Sequence, residues 1–469
     1  MKQIDVLSDD VLLEIFYFYT IIDPSFRPDE SKKATAEAWQ LLVHVCRRWR
    51  NLVLGSPRHL NLRLFCTSKT SITDTLDVWP TLPLIVDSGG VMVFTSDTRN
   101  IIAALGQSNR VCQVDLKLGS WRLEEVLAPM QVLFPELTDL RLSSYDHGTP
   151  PIIPDSFLGG SAPRLRYFEL HGIPFPRLPS LLLTATHLVE LRLYKIPHFG
   201  YISPKAMVAL ISVLSSLREL ALGFGSPLSL PDGESRSLPL PKPSIIPALR
   251  KFDFRGVTEY LEDLVTRIDT PLLDKMHINL FNQVDFDCPQ LVQFINRSPT
   301  LRARDEAHVQ FSHHITSVVL LAQSRFLKIE ILAGRERDWQ LSFIRQICNS
   351  PLHPLSTVED LYVEYLQLVY AIENLNTLWW QLFFPFTAVK NLYISKEFAP
   401  GIAAALQELV GGTITGVLPS LQNIFVERLE PSGPFQEKIG RFVAARQLSD
   451  HPIAISNWDK INFRFVIRV

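Results

Sequence analysis

The feature that most constrains the fold of this chain is a short apolar pattern that recurs along most of its length. Each occurrence places apolar side chains at the first, fourth and sixth positions of a six-residue stretch. Eleven such stretches begin at Val111, Leu137, Leu165, Leu188, Leu217, Leu249, Leu273, Phe326, Val358, Val389 and Leu421. Apolar residues two positions apart predict a short β-strand with one buried face. Eleven near-equal units are hard to obtain by chance, so the pattern predicts a structural repeat.

The spacing of these stretches indicates a solenoid. Successive first positions lie 23–32 residues apart, except for a gap of 53 residues that leaves room for one degenerate unit, near Leu301. Helical sequence lies between the strands, for instance at 203–215 and 399–410. This arrangement resembles the leucine-rich repeat, whose period is roughly 20–29 residues. The resemblance implies an α/β fold, an irregular horseshoe of short parallel strands with helices on its outer side.

The first sixty residues carry a different pattern, which predicts two helices. Ser8 is a good N-cap with acidic residues in the first turn after it, and no Gly or Pro interrupts residues 7–23. A second helix is predicted from Trp39 to Leu54, with Gly and Pro beyond its end. The two helices carry more apolar residues than one small buried face needs. They form either a cap on the following domain or a docking module.

The order of residues in this segment resembles the F-box. The chain reads Leu-Ser-Asp-Asp-Val-Leu-Leu-Glu-Ile-Phe from residue 7 and Leu-Val-His-Val-Cys-Arg-Arg-Trp-Arg-Asn-Leu-Val from residue 42. In that family the motif docks on the Skp adaptor of a cullin–RING ubiquitin ligase. The sequence departs from the family at Ser8, where proline is usual, and in its long insert, residues 23–38. As a helix-in-groove contact, the adaptor-binding residues would be Leu7, Val11, Leu12, Ile15, Val45 and Trp49.

Three segments of the C-terminal third resemble an expanded F-box family of basidiomycete fungi. They are Asp338-Trp-Gln-Leu-Ser, Pro385-Phe-Thr-Ala-Val-Lys-Asn-Leu-Tyr-Ile-Ser-Lys-Glu-Phe-Ala-Pro and Ala405-Leu-Gln-Glu-Leu-Val-Gly-Gly. This extends the likeness to most of the chain. It implies the fold and binding to a Skp-type adaptor, and through it to a cullin, and it leaves the target open.

These patterns predict four regions. They are adaptor-docking helices at 1–63, a connecting segment with the first repeat-like elements at 64–110, the solenoid at 111–430 and a C-terminal cap at 431–469. Within the solenoid, a proline-rich stretch at 226–247 has no apolar periodicity. We expect it to be an exposed, extended loop that interrupts the array of repeats.

Composition argues against several classes of protein. A net charge of −2 over 469 residues gives no electrostatic reason to expect nucleic acid or an anionic membrane as a partner. The start of the chain has no apolar signal region, and the longest apolar runs, such as 206–214, are too short to span a bilayer. Five scattered cysteines predict reduced thiols, and therefore a cytoplasmic or nuclear protein.

The sequence also carries no recognisable catalytic motif. A Walker loop, a dinucleotide-binding glycine turn, a nucleophile elbow and a zinc-binding HExxH helix are all missing. The pair His313-His314 has no Cys, Asp or Glu within five residues, so a turn is a better interpretation than a metal site. We therefore expect a non-catalytic protein without cofactor or metal.

Target-binding residues are predicted from the strand positions that point away from the core. Aromatic and charged side chains recur there, which is typical of binding surfaces, although strands favour aromatic residues in any case. Two clusters result, one at Arg192 and Tyr194, and one at Tyr362, Tyr393 and Phe425. The second lies in the three most regular repeats. The mixed charge of these positions implies a protein or peptide partner.

Two functions remain open from the sequence. In the first, the chain is the substrate-recognition subunit of a Skp–cullin–F-box ubiquitin ligase. The F-box helices hold the adaptor and the repeats hold an unknown protein target. In the second, the chain is a non-catalytic scaffold whose F-box-like helices only close the repeat array. Binding to the adaptor distinguishes the two.

Overall fold

The structure is a computed structural model, and the part of the chain it describes falls into two compact units, Met1–Glu234 and Ser235–Val469. The described residues are 7–20, 39–69, 76, 79, 81–88, 98–145, 148–176, 178–227, 242–281, 286–302, 304–312, 315–332, 337–366, 379–411, 416–429 and 434–458. The predicted insert at 23–38, the pair His313-His314 and most of the proline-rich stretch lie outside them.

In the described part of the first unit, seven strands and six α-helices have both ends defined, and residues 39–43 are also helical, separated by a turn from the next helix where one continuous helix from Trp39 to Leu54 was predicted. The helices are α1 Asp9–Thr20, α2 Arg47–Gly55, α3 Arg99–Leu105, α4 Ser120–Leu127, α5 Leu178–Leu182 and α6 Pro204–Ile211. The strands are β1 Leu64–Cys66, β2 Leu84–Asp87, β3 Val111–Leu118, β4 Asp139–Ser144, β5 Tyr167–His171, β6 Glu190–Ile196 and β7 Glu219–Phe224. Each strand pairs in parallel with the next one in the chain.

The register of this sheet confirms the predicted strand repeat in the first unit. Fourth positions of the pattern pair with one another, and so do sixth positions. The two rows are Val114, Leu140, Phe168, Leu191 and Leu220, and Leu116, Leu142, Leu170, Leu193 and Leu222. All ten side chains are at most 3% exposed. Because successive strand residues point to opposite faces, the residues between these rows lie on the other face of the sheet.

In the described part of the second unit, seven α-helices and eleven strands are assigned. The helices are α7 Thr258–Thr266, α8 Pro289–Arg297, α9 Pro299–Arg302, α10 Arg337–Asn349, α11 Trp379–Phe383, α12 Ala399–Glu408 and α13 Pro434–Leu448. The strands are β8 Ser244–Ile245, β9 Lys251–Gly256, β10 Ile268–Asp269, β11 Lys275–Phe281, β12 Glu306–Phe311, β13 Ile315–Ala322, β14 Arg325–Leu332, β15 Asp360–Tyr365, β16 Asn391–Ile394, β17 Asn423–Glu427 and β18 Ala454–Trp458.

Nine of these strands form one mixed sheet in the order β9-β11-β14-β13-β12-β15-β16-β17-β18, and β8 pairs with β10 alone. All neighbours in the sheet are parallel except β13, which runs antiparallel to both β12 and β14. The reason is the length of the connections. Only two or three residues join β13 to each neighbour, whereas a parallel crossover needs roughly a dozen or more. The array of parallel strands therefore contains an antiparallel insertion.

The sequence prediction is wrong at two places around this insertion, namely the first buried position of β14 and the location of the degenerate repeat. The register pairs Met276 with Leu327, so the buried row of β14 begins at Leu327, and Phe326 lies on the other face. The degenerate repeat is β12, where Ala307 and Val309 pair with the apolar residues of β15. Leu301 is buried in the short helix before that strand. The first position of this unit is taken by the buried Arg304, which explains why the apolar pattern did not reveal it.

The strand β18, near the C-terminus, extends the same sheet. Strand β18 pairs in parallel with β17, after the helix α13. The buried Arg446 of α13 donates hydrogen bonds from its Nη2 to the backbone oxygens of Leu418, Pro419 and Leu421. In the described part of the chain, the helices all fall short of the length and apolarity needed to cross a membrane.

Candidate interaction surfaces

The two N-terminal helices pack on each other through a small apolar contact. The rings of Phe16 and Trp49 lie 4.7 Å apart between centroids. Leu12 is only 1% exposed. Arg48 of α2 reaches back to α1, with its Nη2 at 2.7 Å from Asp9 Oδ1 and 2.6 Å from the backbone oxygen of Leu7.

The helices are tied to the rest of the first unit by Trp39. Residues 39–43 are helical, and the buried Trp39 donates its indole N–H to the backbone oxygen of Arg63, at 3.0 Å. Its ring meets that of Trp79 edge-on, with 5.0 Å between centroids. Because Arg63 directly precedes β1, this contact fixes the helical segment at the start of the sheet.

A second apolar side of these helices faces solvent. Five large apolar residues are between 45% and 72% exposed, namely Val11, Ile15, Phe18, Leu41 and Val45. The first three lie at helical spacing on one stripe of α1. We call these five residues the N-terminal apolar stripe.

The predicted adaptor-binding residues therefore separate into three groups. Val11, Ile15 and Val45 belong to the N-terminal apolar stripe, Leu7 and Trp49 are half-buried, and Leu12 is inside the helix pair. Phe18 and Leu41 were not in the predicted set. The signal that points to Phe18 is its spacing of seven residues from Val11, two helical turns along the same stripe.

The first predicted target cluster is an ion-pair network. Arg192 Nη2 lies 2.7 Å from Glu190 Oε2 and 2.9 Å from Glu219 Oε2, and Nη1 lies 4.0 Å from Glu169 Oε2. Burial alone lowers the pKa of Arg192, but the hydrogen bond to Glu219 and the charge of Glu190 outweigh it and raise the pKa. Tyr194 is half-buried beside the ring of His171, at 6.3 Å. Carboxylates of its own sheet thus already surround Arg192.

The second predicted cluster forms a continuous aromatic stack across four neighbouring strands. The rings of His308, Tyr362, Tyr393 and Phe425 are separated by 4.4, 4.2 and 4.6 Å in that order, with interplanar angles of 5°, 7° and 11°. We call these four residues the aromatic ladder. The cause is the register, which places the four residues directly opposite one another. The strand separation of about 4.8 Å then matches the stacking distance of aromatic rings.

The aromatic ladder is less exposed than the sequence predicts. Tyr362 is only 5% exposed, because His308 and Tyr393 cover its two ring faces. Trp458 of β18 also leans over the ladder, with 5.8 Å between centroids to Tyr362 and 5.6 Å to Tyr393. Tyr393 and Phe425 stay half-buried. Of the three predicted residues, these two offer ring surface to a partner, and Tyr362 holds the stack together.

The rings of the ladder have polar side chains as neighbours on the same face of the sheet. His308 lies between two carboxylates, with Nε2 at 2.6 Å from Glu306 Oε1 and Nδ1 at 3.0 Å from Glu364 Oε2. Burial alone lowers the pKa of His308, but these two hydrogen bonds outweigh it and raise the pKa to about 9. Asn391 donates to Asp360 at 2.7 Å, and Asn423 donates to Asn391 at 2.8 Å. A short amide chain therefore runs beside the rings.

These side chains share one face of the sheet, opposite the buried apolar rows. We call it the ladder face, and define it as the outward-pointing residues of β12 and β15 to β18. They are Glu306, His308, Gln310, Asp360, Tyr362, Glu364, Asn391, Tyr393, Asn423, Phe425, Glu427, Ala454, Ser456 and Trp458. The ladder face contains four carboxylates, one histidine and no Lys or Arg. It is therefore an acidic surface with an aromatic centre.

Another carboxylate of the same sheet, Glu330, is paired with basic side chains of this chain. Glu330 of β14 lies 2.6 Å from Lys328 Nζ and 3.1 Å from His277 Nε2. Although burial raises the pKa of Glu330, the hydrogen bond and charge of His277, and then Lys328, lower it to about 2. Here two basic residues of the chain serve one carboxylate, whereas on the ladder face one histidine lies between two of the four carboxylates.

Sequence reasoning placed no residue of β12 or β18 on the ladder face, so it missed His308 and Trp458 with the rest of those strands, and it also missed Glu427 of β17. His308 lies on the strand whose first repeat position is an arginine, so that strand was not recognised. Trp458 lies beyond the last apolar triplet, and the alternation of Ile453 and Ile455 just before it is the signal that could have indicated a strand. Among the described residues, no group of three or more His, Cys, Asp or Glu side chains is placed to hold a metal ion.

Together these features place the chain in the class of mixed α/β repeat proteins with a large, mostly parallel sheet. No protein-family model matches the sequence, and no curated protein matches it. Among solved structures, a chain from the crystal structure of a TLR13–ssRNA13 complex is similar, with 12% sequence identity and a TM-score of 0.33. The similarity covers 87% of this chain and 59% of that chain, so this chain spans less than two thirds of the other's length. The fold assignment rests on the strand register and not on this similarity.

Proposed function

We propose that this chain is the substrate-recognition subunit of a Skp–cullin–F-box type ubiquitin ligase. In this role it is not an enzyme. Its N-terminal helices bind a Skp-type adaptor, and the outward face of its repeat strands binds a protein target. The observation that carries the proposal is the N-terminal apolar stripe, which leaves five large apolar side chains in solvent on a segment whose sequence resembles the F-box.

The energetics of that stripe favour a partner. Burying a large apolar side chain stabilises a complex by about 1.5–3 kcal/mol. An exposed apolar stripe on an otherwise well-packed helix pair is also typical of a helix-in-groove contact. The role requires the cytoplasm or nucleus, and five free thiols suit a reducing compartment.

A second candidate function rests on the contact of Trp39. Its hydrogen bond to Arg63 and its ring contact with Trp79 attach the helical segment to the start of the sheet. That attachment is what a cap requires. In this alternative the helices only close the repeat array, and the chain is a binding scaffold without an adaptor.

The test is co-purification of the full chain with a Skp-type adaptor. We expect the wild type to bind, and the double variant Val11→Asp with Ile15→Asp to lose binding, because two carboxylates then face an apolar groove. The matched control is Val213→Asp, another exposed valine of the first unit, which should bind like the wild type. A folded wild-type chain that fails to bind the adaptor would support the scaffold alternative instead.

A further inference from the structure

We infer that the β17–β18 end of the ladder face binds a cationic side chain, arginine or lysine, carried by an extended segment of a partner protein. This inference deepens the proposed function, on which it rests for calling that partner a target of the ligase. It names the chemical class of the target and the residues that recognise it.

The first step is the open end of the aromatic ladder. Phe425 stacks on Tyr393 through one ring face. Its neighbour across the sheet on the other side is Ser456, whose small side chain is exposed. In the part of the chain that the structure describes, the second ring face of Phe425 meets no other aromatic ring. The ladder thus ends on a half-buried aromatic surface beside an exposed serine.

The second step is Trp458, which lies beside that surface. Trp458 lies on the same strand as Ser456, two residues further on, and therefore on the same face. Its side chain is only 4% exposed. Among the described residues its indole N–H has no hydrogen-bond acceptor. A buried donor without an acceptor is rare in folded proteins, so Trp458 marks a place where the packing on the ladder face leaves a polar group unsatisfied.

The third step is charge. Glu427 pairs in register with Trp458 and is half-exposed, and no ion pair involves it in the described ranges. The residues that define the ladder face offer the other three carboxylates one histidine and no Lys or Arg. A carboxylate beside an open aromatic ring is the arrangement that favours a guanidinium or ammonium group, through cation–π and ion-pair interactions together.

Charge also selects the class of macromolecule. A phosphate backbone would place further negative charge against four carboxylates, so nucleic acid is disfavoured. A basic segment of protein complements the same surface, and opposite potentials on two surfaces favour their association. Aromatic anchors within such a surface supply the large contact area that dominates binding energy.

The experiment measures binding of a fluorescent peptide of alternating arginine and serine to the full chain, by anisotropy. A second peptide carries citrulline in place of arginine, which removes the charge and keeps the shape. We expect the arginine peptide to bind at least about tenfold more tightly than the citrulline peptide. Phe425→Leu and Glu427→Gln should each weaken the arginine peptide roughly three- to tenfold, and Phe425→Tyr should not.

Two control variants of the same unit repeat these changes away from the ladder face. Phe384→Leu removes an exposed aromatic ring, and Glu408→Gln removes an exposed carboxylate. Both should bind the arginine peptide like the wild type. If Glu408→Gln weakens binding as much as Glu427→Gln, the peptide senses only net charge and the inference is wrong. It is equally wrong if Phe425→Leu has no effect.

A further variant tests whether the site is already taken by the chain itself. The C-terminal residues Lys460, Arg464 and Arg468 are basic. If the arginine peptide binds only after K460Q, R464Q and R468Q are introduced together, the chain's own end is the occupant and no partner is needed. The peptide experiment requires no adaptor. If the wild-type chain binds the adaptor but not the arginine peptide, this inference alone is wrong. If it binds the arginine peptide but not the adaptor, the ligase role alone is wrong.

Discussion

At the scale of single residues, His308 is a side chain whose protonation depends on its neighbours. It carries the only positive charge of the ladder face, and Glu306 and Glu364 hold both of its ring nitrogens. Its pKa in the folded protein, about 9, lies above the ordinary value of 6.5. Protonated His308 therefore stabilises the folded state, and loss of that proton removes the stabilisation.

The first prediction at this scale concerns pH. Because the folded-state pKa is raised, the contribution of His308 is fully present below pH 6.5 and is lost as pH rises through 9. We expect the free energy of unfolding to fall by a few kcal/mol across this interval, on the order of the linkage for a shift of this direction and size. His308→Gln keeps a polar group in the stack and should flatten this dependence. Denaturant unfolding at pH 6.5 and pH 9 measures it, and an equal loss in both proteins would contradict it.

At the scale of elements, the antiparallel insertion determines what the ladder face can do. It brings β12 next to β15, so that His308 joins a stack that otherwise contains only residues of the regular repeats. Without β12, Tyr362 would have one covered ring face instead of two. The insertion therefore converts a predicted contact residue into an internal one.

The element-scale prediction follows from that burial. Tyr362→Ala removes a stacked ring from the middle of the aromatic ladder, and should lower the free energy of unfolding by about 3–5 kcal/mol, the usual cost of truncating a buried aromatic residue. Tyr194→Ala, at a half-buried position of the first unit, is the control and should cost clearly less. Thermal unfolding of the two variants gives the comparison. A similar small loss in both would show that the stack contributes little to stability.

At the scale of the whole molecule, the described chain consists of two units, and the strands of each unit bury rows of apolar side chains. In the first unit, Leu191 is fully buried and pairs with Phe168 on one side and Leu220 on the other. Such rows couple neighbouring repeats, because each repeat buries its apolar side chains only with its neighbours present.

The prediction at this scale is that Leu191→Asp disrupts more than its own strand. A carboxylate in a dry core costs several kcal/mol, comparable with the roughly 5–15 kcal/mol that stabilise a folded domain. We expect hydrogen exchange to show lost protection in β5 and β7 as well as in β6. Leu191→Met keeps the volume and should retain protection. Protection lost in β6 alone would contradict coupling between the repeats.

The local sequence determined most strands of the parallel array and their register; the exceptions are β12 and β18, which it did not indicate, and β14, whose register it misplaced. Apolar residues two positions apart bury one face of a strand wherever it lies, so the rows through Leu191 and Leu392 could be predicted before any pairing was known. The same argument placed Arg192, Tyr194, Tyr362, Tyr393 and Phe425 on the opposite face. The adaptor-binding role of the N-terminal helices stays a prediction of the residue order there.

Only the tertiary structure decided which of those outward side chains are exposed to solvent. Exposure depends on what neighbouring strands place against a side chain, and those strands are distant in sequence. His308 covers Tyr362 from a strand that begins with a buried arginine, and Trp458 covers it from a strand beyond the last apolar triplet. Among the described residues, the ring of Phe425 stacks on Tyr393 alone, because the residue across from it on the other side is Ser456. Pairing between distant strands, which no local pattern encodes, therefore separates the internal rings of the ladder from the ring at its open end.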